Sequence, residues 1–340
     1  MDDKLRRKPT VRDVAKQANV SASTVSRVLN GLGKYSKETE ERVRKIMVEM
    51  NFEPNAVARN LSVKSSKIIG VLLPNSETGV YDDVLKGIER ASRDNGYSVI
   101  ICYTGDSGVS TLGYIKILLA NQAAGIIYGS AELFDECYEL IISTQIPCVL
   151  ALTLSDKYKF PYVKVNDIIA AYDAVSYLIN NGHRRIAYIT GNPNDPITSK
   201  PRLDGYLNAL KDNKIDINEN LIIETDFNYR GGTIGMAQLL DRNEDFTAVF
   251  TECDDLAIGA MNEAHKRGIK IPDDISFMGY DNTRSSEICY PALTTLSQPL
   301  FLVGEISAEK LIDTIKTGKV SKGCFLQHEI VERESVRKIN

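Results

Sequence analysis

Val20-Ser21-Ala22-Ser23-Thr24-Val25-Ser26-Arg27-Val28-Leu29-Asn30 is the stretch from which the rest of the chain is read. Val25, Val28 and Leu29 recur at helical spacing and make one apolar stripe. Ser21 stands where an N-cap belongs, its hydroxyl placed to accept from an amide one turn on. Ser23, Thr24, Ser26, Arg27 and Asn30 fill the remaining faces with polar side chains. The serines and the threonine are short enough for the backbone to approach a phosphate closely. Arg27 is the one long side chain, and its planar fork matches the O6 and N7 acceptors of guanine. Just upstream, Thr10-Val11-Arg12-Asp13 reads as a capping box with Asp in the Glu/Gln place. Val11, Val14, Ala15 and Ala18 form one apolar face, and Asn19 tolerates the left-handed conformation that a tight turn needs. Two short helices joined this way make a helix-turn-helix. An ordinary helical hairpin fits the same residues.

Charge separates the two readings in part. The 340 residues carry a net charge of -4. Residues 1–66 hold 14 Lys and Arg against 8 Asp and Glu, and the remainder holds 27 against 37. A basic head on an acidic body puts phosphate attraction at one end, although solvated helix faces would give the same imbalance. The length calls for more than one domain. A hydrophobic fraction of 43% and a charged fraction of 25% are those of a soluble globular protein. Cys102, Cys137, Cys148, Cys253, Cys289 and Cys324 show no metal-ligand spacing and lie mostly in apolar surroundings, so reduced thiols and no metal site are expected. Met1 to Lys8 has no apolar core behind its charges and reads as no signal peptide. No apolar run approaches the ~18 residues of a membrane span. A cytoplasmic protein is expected.

Leu5 to Lys8 form a basic arm. Gly31-Leu32-Gly33-Lys34-Tyr35 is a loop, with glycines wrongly spaced for a phosphate-binding loop and no strand before it. Ser36 caps a third helix, with Glu38, Glu40 and Glu41 in its first turn and Val43, Ile46, Met47 and Met50 as its inner stripe. Asn51-Phe52-Glu53-Pro54 ends it. Asn55 to Leu61 suggests a two-turn helix too short to be stable alone in water. Leu61, set in a basic linker, suits a wedge between base steps of a minor groove. It equally suits a linker leucine packed on the next domain. Ser62 to Lys67 is a polar connector.

These residues resemble the DNA-binding head of the lac-repressor (LacI/GalR) family of bacterial transcription regulators. The resemblance is carried by Thr10-Val11-Arg12-Asp13-Val14-Ala15, Val20-Ser21, Thr24 to Asn30, and Pro54-Asn55-Ala56-Val57-Ala58-Arg59. It implies that Ala22, Ser23 and Arg27 read bases in the major groove. It further implies that Ala58 and Leu61 enter the minor groove at the operator centre, from a hinge helix that orders on DNA. With these, Thr10, Ser21, Thr24, Ser26, Asn30 and Asn55 complete the expected DNA-contact set. Two departures stand out: Asn19 where glycine is usual, and the short pair Ala22-Ser23 where longer side chains occur. That pair makes no bidentate base contacts, which shifts specificity toward Arg27 and DNA shape.

From Lys67 the rhythm changes. Ile68 to Leu73, Val99 to Cys102, Gly125 to Tyr128 and Cys148 to Ala151 are short apolar runs separated by amphipathic segments such as Val84 to Ala91. The pattern restarts with Ile186 to Ile189, Leu221 to Ile223, Ala248 to Phe250 and Ile275 to Met278. Apolar strands alternating with helices mean parallel sheets covered on both faces, and two such series need two lobes. The default ligand site is the cleft at the strands' carboxyl ends.

The body also resembles the family, through Gly182 to Ala187, Arg202-Leu203-Asp204-Gly205-Tyr206, Asp254 to Met261, Gly279-Tyr280-Asp281 and Pro291 to Leu296. The expected fold is an N-terminal three-helix helix-turn-helix domain plus an α/β periplasmic-binding-protein-like core of two doubly wound parallel-sheet lobes. The expected domains are a head at 1–52, a hinge helix and linker at 53–66, and a ligand-binding and dimerisation core at 67–340. The core divides into an N-lobe of 67–166 plus 298–325 and a C-lobe of 167–297 plus 326–340. By position, Arg202 and Asp281 match effector-binding places, and Tyr81 matches an aromatic that lines the ligand. Asp167 beside a lobe crossing, Cys253 and Asp254 complete the effector set. A fork of five donors and an acceptor-only carboxylate suit a polyol, though Arg202 and Asp281 would also satisfy each other as an ion pair. Cys253 stands where asparagine is frequent, which weakens one sugar contact.

Catalysis is not expected. His183, His265 and His328 sit beside no nucleophile signature, no G-x-S-x-G occurs, and Gly231-Gly232-Thr233-Ile234-Gly235 is no dinucleotide fingerprint. No catalytic residue and no cofactor are expected. The residues read as a repressor of carbohydrate-utilisation genes. Its expected partners are a near-palindromic double-stranded operator, a sugar or sugar phosphate effector and a second copy of the chain, with no membrane. A sugar-binding module alone is the second reading. A third keeps DNA binding but uses a protein corepressor docked at Lys86, Arg90 and Arg93.

Overall fold

The computed structural model describes residues 9–52, 67–74, 79–105, 110–129, 132–155 and 157–339, in two compact units that divide between Ser66 and Lys67. In the first unit, α1 (Val11–Ala18) begins with the full capping box: Thr10 Oγ1 accepts from the Asp13 amide, and Asp13 accepts from the Thr10 amide at 2.8 Å. Asn19 closes it in the left-handed conformation, at φ 54° and ψ 48°. α2 (Ala22–Asn30) starts on the Ser21 cap, and α3 (Lys37–Glu49) starts on the Ser36 cap. Val14, Ala15, Ala18, Val25, Val28, Val43 and Phe52 are the buried centre. Ile46, Met47 and Met50 only flank it, so the inner stripe of α3 is shallower than its spacing suggests. So small a core leaves the unit marginal in stability.

The second unit holds two six-stranded sheets. The first sheet is built from β1 (Ile68–Leu73), β2 (Ser98–Tyr103), β3 (Gly125–Gly129), β4 (Cys148–Ala151), β5 (Tyr162–Val165) and β11 (Cys324–Leu326), all parallel, in the order β11-β5-β4-β3-β1-β2. α4 (Val80–Asp94) and α12 (Leu300–Thr317) cover one face; α5 (Thr111–Ala120) and α6 (Asp135–Thr144) cover the other. α4 and α12 cross at two glycines. A Cβ on Gly87 would strike the Phe301 carbonyl, and one on Gly304 would strike the Val84 carbonyl.

The second sheet repeats the plan with β6 (Ile186–Thr190), β7 (Ile222–Glu224), β8 (Ala248–Thr251), β9 (Ser276–Asp281), β10 (Thr294–Ser297) and β12 (Glu329–Val331), in the order β12-β10-β9-β8-β6-β7. Only β12 runs antiparallel. α7 (Asp167–Asn180) and α8 (Ser199–Asp212) pack on one face, and α9 (Tyr229–Asp241) and α10 (Asp254–Lys266) pack on the other. The short α11 (Arg284–Ile288) links β9 to β10. The chain passes between sheets after β5, after β10 and between β11 and β12. Because β11 runs to Leu326, the last passage falls at residues 327–328, a little beyond the expected 325. The strand expected from Leu221 begins one residue later, since Leu221 closes a single 3-10 turn.

Candidate nucleic-acid interface and effector cleft

α2 presents two faces. Val25 and Val28 are buried, Ser21, Ala22, Ser23 and Arg27 are exposed, and Thr24 and Ser26 are half-buried. The Ser21 hydroxyl lies 2.7 Å from that of Ser23 and 2.8 Å from that of Thr24, and it accepts from the Thr24 amide at 3.1 Å. Hydroxyls therefore ring the amino end of α2, where amide hydrogens and the helix dipole attract an anion. Arg27 lies one turn beyond Ser23 on the same exposed face. Among the described residues the ion pairs of the head, Arg44–Glu40 and Lys45–Glu49, leave it out. Thr10 is half-buried at the start of α1, and Asn30 is the last residue of α2. Asn55, Ala58 and Leu61 lie outside the described residues.

The body gathers its buried charge at the carboxyl ends of the second sheet. β6 and β8 are neighbours, yet α8 leaves β6 for one face and α10 leaves β8 for the other. A crevice opens at such a switch point. Arg202, on α8, donates through Nε to Asp167 Oδ1 at 2.9 Å and through Nη1 to the Glu252 carbonyl. Its guanidinium lies 3.7 Å from the centre of the Tyr280 ring. The Tyr280 hydroxyl also donates to Asp167 Oδ1, at 2.9 Å. Lys164 on β5 reaches Asp167 Oδ2 at 2.8 Å and donates to the Ile197 carbonyl. Asp167 is thus the hub between a strand of one lobe and a helix of the other. Burial alone would raise its carboxyl, but the Arg202 and Lys164 charges prevail and hold it below the ordinary value.

Asp281 closes β9 at φ 109°, a strained conformation for a residue with a side chain. Its Oδ1 accepts from Gln298 Nε2 at 2.7 Å. Burial pushes its carboxyl up, against the pull of Arg202 and with the push of Asp254. Arg202 and Asp281 do not satisfy each other as a simple pair: Asp167 holds Arg202, and Gln298 holds Asp281. Asp254 accepts from the Thr283 amide, from the Thr283 hydroxyl at 2.9 Å and from Thr295 Oγ1 at 2.5 Å. Its Oδ2 braces α10 against the turn after β9, and its Oδ1 braces it against β10. Burial raises Asp254 too, with those hydroxyl and amide bonds opposing. Cys253 is the fully buried cap residue of α10 and makes no capping bond with its thiol. Tyr81 is half-buried in the first turn of α4, packed on the first lobe's core.

Sequence reasoning missed Lys164, Glu252, Tyr280 and Gln298. A lysine inside the run Tyr162-Val163-Lys164-Val165 was the available signal, since a buried cation needs a partner. A recess of about 450 Å³ opens at the opposite, amino-terminal edge of the second sheet, between Arg184, Tyr206, Asn218 and Glu244. It lies away from the strand ends where the buried charges meet. Lys86, Arg90 and Arg93 are each ion-paired on the chain, to Asp83, Glu305 and Glu89. Among the described residues no cluster of His, Cys, Asp and Glu is arranged to hold a metal ion, and no helix is long and apolar enough to cross a membrane.

A helix-turn-helix head joined to a two-lobed body of the solute-binding type defines the class, a DNA-binding regulator. Residues 10–55 match the model of bacterial regulatory proteins of the lacI family, and residues 66–335 match that of periplasmic binding proteins and the sugar binding domain of the LacI family. The chain belongs to the LacI family of transcription regulators. It is 32% identical to catabolite control protein A of Priestia megaterium, over 96% of this chain and 99% of that one. It is 35% identical to the HTH-type transcriptional repressor PurR of Vibrio atlanticus, over 97% and 99%. The lac repressor dimer bound to operator and the anti-inducer ONPF superposes with a TM-score of 0.87 at 28% identity, covering 97% of this chain and all of that one.

Proposed function

We propose that the protein acts as a homodimeric repressor of carbohydrate-utilisation genes in the cytoplasm. It binds a near-palindromic operator, and a small sugar-like effector between the lobes sets its affinity for that site. The observation that carries this reading is the buried polar cluster at the switch point of the second lobe. A strained Asp281, a stacked Arg202 and a shared Asp167 are costly to keep in a core, and such costs gather at ligand sites. Arg202 and Asp281 bracket the polyol, and Tyr81 approaches from the first lobe. In the head, Ala22, Ser23 and Arg27 read bases, while Leu61 and Ala58 wedge the operator centre. Effector and operator binding are coupled by about 1–3 kcal/mol. The protein needs no cofactor and performs no catalysis. A protein corepressor docked at Lys86, Arg90 and Arg93 is the weaker reading, because those charges are already matched within the chain.

The test begins with selection of a duplex from a random library by the full-length protein. A thermal-shift panel of sugars and sugar phosphates follows, and any hit is added to the duplex titration. A selected near-palindrome whose affinity changes with one panel member is expected. Duplex binding without sequence preference, or indifferent to every compound that raises Tm, overturns the proposal.

A further inference from the structure

Glu252 directly follows β8 and is fully buried. Local structure does not call for an acid there, since Thr251 ends the strand and Cys253 already occupies the cap of α10. Its Oε2 accepts from the Thr190 hydroxyl and the Gly191 amide at the end of β6. Its Oε1 has no hydrogen-bond partner among the described residues. A buried carboxylate oxygen without a donor is expensive, and such a group in a native protein asks for an explanation. The carboxylate stands across the seam between β6 and β8, bonded to the end of β6, and the strand ends at such a switch point are where ligands bind in sheets of this kind. Ser199 and the exposed ring of Phe227 border the same place: a methyl group on Gly191 would lie 3.0 Å from the Ser199 hydroxyl and 3.2 Å from the Phe227 ring.

The surrounding charge limits what can fill the crevice. Asp167, Glu252, Asp254 and Asp281 are buried near these strand ends, with Lys164 and Arg202 as the buried cations. Both cations are already ion-paired to Asp167. A phosphate ester would add negative charge where the positive charge is matched. A hydroxyl or an ammonium group would instead bring a donor to the unmatched oxygen. Burial raises the Glu252 carboxyl, with the Arg202 charge, the Ser199 and Thr190 hydroxyls and the Gly191 amide opposing, and a further donor at Oε1 would favour its ionised form.

We propose that Glu252 is a specificity-determining residue of the effector site, its Oε1 accepting from an unphosphorylated, donor-rich polyol. The donor is a hydroxyl of a neutral sugar or the ammonium of an amino sugar. This rests on the effector reading above and names the ligand class for it.

The test compares the full-length protein with Glu252→Gln. Both are titrated calorimetrically with D-glucose, D-ribose and D-glucosamine and with the phosphate ester of each, and both are melted without ligand. A free sugar should bind more tightly than its ester. Glu252→Gln should weaken that sugar by about 10- to 100-fold, while the ligand-free Tm holds or rises. A loss confined to D-glucosamine identifies the ammonium as the donor, and a loss on the neutral sugars identifies a hydroxyl. The proposal is overturned if an ester binds best, if affinity is unchanged in Glu252→Gln, or if the ligand-free variant unfolds or loses more than about 3 °C. Binding by esters alone would leave the effector reading standing without Glu252. Silence from all six compounds would overturn the proposal as stated, and the wider panel above then decides separately whether the effector reading stands.

Discussion

The two lobes share one strand order and differ in what stands at the strand ends. In the first, β1, β3, β4, β5 and β11 finish on Leu73, Gly129, Ala151, Val165 and Leu326. In the second, β6 and β10 finish on Thr190 and Ser297, β8 is followed by Glu252, and β9 finishes on Asp281. The order of strands sets where a crevice opens. The side chains gathered at those ends, from strands, helix starts and helices alike, decide whether the site is oily or charged. Glycines let helices pack closely in both lobes, at Gly87 and Gly304 in the first and at Gly232 and Gly259 in the second. The second adds the buried ion pairs of Asp167 with its own Arg202 and with Lys164 of the first lobe.

Removing the hub of the charged lobe should break this contrast most severely. Asp167→Ala leaves Lys164 and Arg202 buried without a counter-charge and should cost the body about 3–5 kcal/mol in urea denaturation. A loss under about 1 kcal/mol would show that the network is replaceable packing, like that of the other lobe. In the first lobe, Gly304→Ala forces a methyl against the Val84 carbonyl and should cost about 1–3 kcal/mol through overpacking. An unchanged Tm would mean that α4 and α12 part easily.

The head tests the contrast from outside, because Arg27, its proposed base-reading residue, is exposed. Arg27→Ala should leave stability within about 0.5 kcal/mol and cost about 1–3 kcal/mol at a single operator base pair. An unaltered base preference in competition binding would refute its assignment.

The charged lobe also carries a pH dependence. Asp254 and Asp281 are both raised by burial, so the folded body holds protons that the unfolded chain releases near the ordinary carboxyl value of about 4. Their contribution is present below that value and is lost as pH climbs through the raised native values. Asp167 is shifted down and acts in reverse, losing its contribution only on acidification. Between weakly acidic and weakly basic pH, body stability should therefore decline, by up to about 1.4 kcal/mol per pH unit for each of the two retained protons. Asp281→Asn should flatten the decline in Tm, and a slope that survives this change would assign it to other groups.

The head was legible because its determinants are neighbours along the chain. Thr10 and Asp13 are three residues apart, as are Ser21 and Thr24, and Asn19 needs only its own backbone freedom. The strands of the body were legible as apolar runs, with small boundary errors such as the 3-10 turn at Leu221. The charged cluster was legible only in part. Arg202 and Asp281 came from positional resemblance and Asp167 from its place beside a lobe crossing, but the partners Lys164, Tyr280 and Gln298 did not. Asp254 looked like a ligand residue and serves as a brace through Thr283 and Thr295. Glu252 went unnoticed because nothing near it in the chain marks it, its partners Thr190 and Gly191 lying 62 and 61 positions away.

The amino-acid sequence alone determined the caps, the turn at Asn19, the exposed face of α2 and the alternation of strand with helix. Each of these is a matter of spacing and local backbone energy. Tertiary structure alone decided which charges meet. Asp167 finds Arg202 across 35 positions, and Glu252 finds Thr190 across 62. A buried charge takes its role from whatever the fold brings within hydrogen-bond reach, and no local pattern records that distance.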